Sequence, residues 1–155
     1  MLDLAVLREH QAQPDEAIAL IREALKTQPD AVELKNNLAW FLAGYRDQPA
    51  AALKLIDQAI ESAGPLPALL DTKGVVLLAS GRAQDAVAVL EKSVQARDAT
   101  APRFLHLAEA YQAIGKGAEA RQLLGKVEAA GTNTLSPRDR QALLKLKAAV
   151  PGREL

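Results

Sequence analysis

Two histidines and a scatter of carboxylates are the side chains of this 155-residue sequence best suited to move a proton or hold a metal ion. His106 precedes Glu109 by one helical turn, so on a helix the two share a face. Such a couple is a possible acid/base pair, or two ligands of a metal site. Asp71 is the one further ligand that the register of the chain brings near. The expected arrangement is a salt-bridged histidine at the surface. His10 lies near a turn and is read as solvated. There is no cysteine, which excludes thiol nucleophiles, disulfides and Cys-type zinc sites. No glycine-rich phosphate loop, nucleophile elbow or HExxH string is present. Asp15 and Glu16 fall where a helix begins and favour its dipole. No catalytic residue, cofactor or metal is therefore expected, and the chain is read as a non-enzyme.

Composition narrows the remaining classes. Nineteen Lys and Arg balance nineteen Asp and Glu, which argues against affinity built on neutralising phosphates or an anionic membrane. Aromatic residues are 3%, too few for base-stacking platforms. The 31 Ala and 25 Leu outnumber the β-branched residues and favour helix over sheet. No uncharged stretch is long enough to span a bilayer, and the opening residues do not read as a signal peptide. Cytoplasm and periplasm both fit.

The elements that must position any site follow from an internal beat. Small residues recur at Ala17, Ala52, Ala86 and Ala120, spaced 35, 34 and 34. A second column, Ala5, Ala39, Gly74 and Ala108, keeps the same period, and the one extra residue falls within 43–50. Each unit reads as two helices. Leu34, Leu38, Phe41 and Leu42 make an amphipathic stripe, and Gly- or Pro-bearing turns follow. The spacing predicts helices over 2–11, 15–27, 31–43, 49–62, 67–79, 83–95, 101–114, 117–129 and 137–149. Small residues are expected where paired helices cross most closely. Ser136-Pro137-Arg138-Asp139 breaks the beat and reads as a helix start, with Ser as N-cap and Pro at the first position. Leu143, Leu146 and Val150 would then cover the last exposed core. Residues 132–155 carry five Lys or Arg against two Asp or Glu, read as a solvated face.

The 34-residue period, with Leu4-Ala5, Leu38-Ala39, Gly74 and Leu107-Ala108 in first helices and Ala17, Ala52, Ala86 and Ala120 in second helices, resembles the tetratricopeptide repeat (TPR). Lys73, in place of the usual Leu, and Ser93 and Val127, in place of Ala, depart from its signature. The resemblance implies an all-α fold, a right-handed superhelix of antiparallel helix pairs. It divides the chain into four repeats, 1–30, 31–65, 66–99 and 100–131, with a capping helix and tail at 132–155. It further implies a protein or peptide partner in a concave groove lined by first helices, and neither nucleic acid nor membrane insertion; a homo-oligomer is possible.

At about 100° per residue, Trp40 lies about 200° round from the core position Leu38, off the apolar stripe. Carried through the repeat, the groove-facing set is Val6, Asn36, Asn37, Trp40, Asp71, Val75, Leu78, Leu105 and Glu109. Trp40, the single tryptophan, is expected to face the groove beside Val6, Val75 and Leu78, the alternative being a flanking segment packed over it. Asn36 and Asn37 suit a peptide backbone, since an amide both donates and accepts. The carboxylate clamp of chaperone-adaptor TPR domains is absent: of Leu2, Val6, Asn37, Ala68 and Thr72, only Asn37 matches. The expected function is a scaffold or adaptor in a bacterial assembly, secretion or exopolysaccharide system. The alternatives are a segment of a larger or self-associating solenoid and a regulatory domain of an enzyme outside the chain.

Overall fold

The computed structural model describes residues 13–150, and the helix expected over 2–11 lies outside them. Eight α-helices and a 3-10 turn occur among the described residues, with no strand. They are α1 (Pro14–Thr27), α2 (Val32–Tyr45), α3 (Pro49–Ala63), α4 (Pro67–Ala79), α5 (Ala83–Ser93), α6 (Ala101–Ala113), α7 (Gly117–Ala130) and α8 (Pro137–Ala149), with the turn at Thr132–Thr134. Pro at the first or second position opens α1, α3, α4, α6 and α8, where its missing N–H has no partner to lose. None is long and apolar enough to cross a membrane.

The helices pair as α2/α3, α4/α5 and α6/α7, and the pairs stack as a solenoid of helix hairpins. Helices α2, α4 and α6 pack side by side as one layer, with α8 against α6; α1, α3, α5 and α7 each pack against helices of that layer. The extra residue within 43–50 lengthens α2 and leaves the connection at three residues. Helix α2 has 14 residues where α4 and α6 have 13, and each pair is joined by three residues. Asp47 supplies the left-handed backbone of its turn (φ 49°), a conformation its short polar side chain tolerates.

Ala17, Ala39, Ala52, Ala86, Ala108 and Ala120 are fully buried, as close helix crossings require. Gly74 shows how close: a Cβ there would run into the side chain of Leu90, itself fully buried. The departures from the repeat signature are locally satisfied. The buried Ser93 hydroxyl donates to the Pro67 carbonyl at 2.7 Å, and Lys73 pairs with Asp57 across α4 and α3 at 2.7 Å. Helix α8 starts as its sequence predicts, the Ser136 hydroxyl accepting the Asp139 N–H at 3.2 Å. Leu135, Leu143, Leu146 and Val150 enter the core built by α6 and α7.

Candidate functional site

The inner layer carries a concavity of about 360 Å³ where α2, α4, α6 and the start of α8 converge. Helix α2 contributes Asn36, Asn37 and Trp40; α4 contributes Asp71 and Thr72; α6 contributes Arg103 and His106; α8 contributes Asp139. The four-residue step from Asn36 to Trp40 keeps both on one helix face, and the repeat period sets Asp71 and His106 on the next two helices.

His106 is the centre of this wall and is almost wholly buried, which corrects the expectation of a surface histidine. Its Nδ1 lies 2.9 Å from Asp71 Oδ1 and its Nε2 lies 3.2 Å from Asp139 Oδ1. Two carboxylate acceptors require two N–H donors, so the ring is an imidazolium. Burial pulls the ring toward the neutral form. The Asp71 charge and hydrogen bonds to both carboxylates outweigh that and push His106 up to about 10. Burial likewise works to raise Asp139, but the His106 hydrogen bond and charge, aided by Arg138, hold its carboxyl below the ordinary value.

Trp40 lies beside this triad, its ring 5.3 Å from that of His106 and tilted by 49°. The Arg138 guanidinium also sits over the indole, 5.2 Å from its centroid, and donates to Asp139 Oδ1 at 3.1 Å. Gly44 lies against the Arg138 stem; a Cβ there would lie 3.1 Å from Arg138 Cδ, a tight contact. On the far side of Arg138 is a second concavity of about 500 Å³, bordered by Gly44, Glu109, Gln112, Gln141 and Lys145.

The expected groove residues thus divide. Asn36, Asn37, Trp40 and Asp71 come together on one wall, and Asn36 Oδ1 is buried without a hydrogen-bond partner. Glu109 faces the second concavity, with Oε2 equally unpaired. Leu78 is half-buried against the C-terminal core. Val75 and Leu105 are fully buried and present no groove surface. The angular argument treats each helix as isolated. Val75 sits on α4, which is flanked by both α2 and α6, and Leu105 shares a core with Leu135 and Leu143 beside α8. Val6 lies outside the described residues. Trp40 is half-buried, with His106 and Arg138 among its neighbours.

Arg138 and Asp139 join the site without belonging to the groove-facing set that the repeat register gives. The visible signal was limited to the N-cap string, which places Asp139 at the third position of α8 but says nothing of what the helix start meets. His106 has no nitrogen lone pair left for a metal, and no group of three or more His, Cys, Asp or Glu suited to a metal ion occurs among the described residues.

The tetratricopeptide-repeat family model matches residues 77–149, from the end of α4 through α8. No curated protein matches the sequence. Among solved structures, a thermophilic TPR protein of Thermus thermophilus is similar with a TM-score of 0.80 and 20% identity, over 97% of this chain and 81% of that one. PilW, a type IV pilus biogenesis factor, gives 0.71 at 26% identity, over 94% and 67%. PilF of Pseudomonas aeruginosa gives 0.70 at 19% identity, over 95% and 66%. With its stacked helix hairpins and small residues at the crossings, the chain has the fold of tetratricopeptide-repeat proteins, and its residues 77–149 match that family's model.

Proposed function

We propose that the concave face built by α2, α4 and α6 holds a segment of a partner protein, and that the chain works by docking and not by catalysis. The TPR fold is in general a protein-interaction module. The observation that carries the reading to this face is the Asn36–Asn37–Trp40–Asp71 wall, an aromatic ring flanked by amides and a carboxylate, with Asn36 Oδ1 buried and unpaired. The indole supplies apolar area beside the polar groups, the pairing found at interface hot spots.

The reading as a scaffold or adaptor in a bacterial assembly draws support from the similarity to PilW, whose described role is type IV pilus biogenesis. A non-catalytic role is supported by the buried His106, whose two nitrogens are both committed to carboxylates. The test is a side-by-side capture and titration with wild type and Trp40→Ala. The variant is expected to lose about 2 kcal/mol or more of affinity for the captured protein. Equal affinity of the two would remove the concave wall from the interface.

A further inference from the structure

Helix α8 meets the rest of the molecule in two unlike ways. Its distal half is held by burial: Leu143, Leu146 and Val150 sit in the core of α6 and α7. Its first turn is held across the concave face by polar and ring contacts from Arg138 and Asp139. Asp139 is 2% exposed and closes the His106 imidazolium from one side, while Arg138 covers Trp40. Those are two of the groups that a docking segment on this wall would most readily use.

We propose that the first turn of α8 is a resident ligand of the concave face, displaced by a partner segment that presents an arginine followed by an aspartate or glutamate at a helix start. The inference rests on the docking role proposed for this face. The exchange is physically balanced. Unwinding Ser136–Arg140 leaves the distal apolar anchors of α8 in place. The contacts given up, a carboxylate on His106 and a guanidinium on Trp40, are remade by the incoming pair. A segment lacking the carboxylate would leave the imidazolium with Asp71 alone, and one lacking the guanidinium would leave the indole uncovered. The wall thus selects for the pair and not for either charge singly. The concavity of about 360 Å³ beside the turn gives the incoming chain a place to engage before the exchange.

The test uses the full chain and a synthetic peptide copying its residues 134–145, with Trp40, the single tryptophan, as the fluorescent reporter. The double variant Arg138→Ala/Asp139→Ala, freed of its own ligand, is expected to bind the peptide saturably. Wild type should bind about tenfold or more weakly, since its resident turn competes. The same peptide with alanine at both positions should bind neither. A folded double variant that gives no saturable response overturns the proposal. If that variant does not fold, amide hydrogen exchange on wild type decides. Excess peptide should deprotect Arg140 and Gln141 while Leu143 to Leu146 stay protected. Peptide binding with no such loss of protection overturns the resident-ligand idea alone and leaves the docking role standing.

Discussion

At the scale of single residues, the molecule's most consequential choice is to bury a histidine between two acids. His106 stands between Asp71 of α4 and Asp139 of α8, with Arg138 as the next charge. Its value rises from 6.5 to about 10 in the folded chain. A raised value on folding means that the stability it carries is complete below pH 6.5 and is lost as pH climbs through about 10. Asp139 acts in the opposite sense: its value is lowered from 3.8, so its contribution holds above that pH and fades as pH falls below it. Urea midpoints of wild type and His106→Asn between pH 6.5 and about 10 check this. The gap between the two proteins should be widest at the neutral end and narrow toward alkali. A gap that does not change with pH would mean that His106 is neutral in the fold. At neutral pH the substitution should cost about 3 kcal/mol, because it leaves Asp139 buried with a weakened counter-charge.

At the scale of elements, packing distance governs. Helices α4 and α5 cross with Gly74 against Leu90, and the space is already full. Gly74→Ala would gain up to about 1 kcal/mol of helix propensity. Forcing the fully buried Leu90 aside costs about 1–3 kcal/mol, and that term should win. Thermal melting should show a lower midpoint than wild type; an unchanged or higher one would mean that the crossing can open without loss. Ser136→Ala tests the start of α8 in the same way, with about 1 kcal/mol expected from the lost cap. These elements were legible in the sequence, because a period of 34 with small residues in fixed columns leaves little freedom over where helices begin, turn and touch. The Asn36–Trp40 face was legible too, since it needs only the geometry of one helix. The burial of Val75, Leu105 and His106 was not. It depends on what lies beside α4 and α6, and above all on the course of α8, which breaks the repeat and so cannot be carried over from another unit. Arg138 and Asp139 read as an ordinary helix start because the partners they meet, Trp40 and His106, lie far back along the chain.

At the scale of the whole molecule, a repeat array is expected to be held together by neighbour-to-neighbour contacts. The described residues form two cores, one centred on α1 to α3 and one running from α4 to α8, with Leu53 touching both. The Trp40–His106–Arg138 cluster adds a contact of longer reach, joining α2 directly to α6 and α8 past the intervening α4/α5 pair. A bond that skips a repeat ties the unfolding of the first core to that of the second more tightly than stacking alone would. Wild type should therefore unfold in urea with Trp40 fluorescence and circular dichroism superimposed. In His106→Asn the tie is cut at its centre. The fluorescence transition, which reports on α2, should then precede the circular-dichroism transition, and the apparent m value should fall. Curves that stay superimposed in the variant would assign the cooperativity to hairpin stacking through α4 alone. The cluster would then be a local feature of the concave wall, with no part in holding the array together.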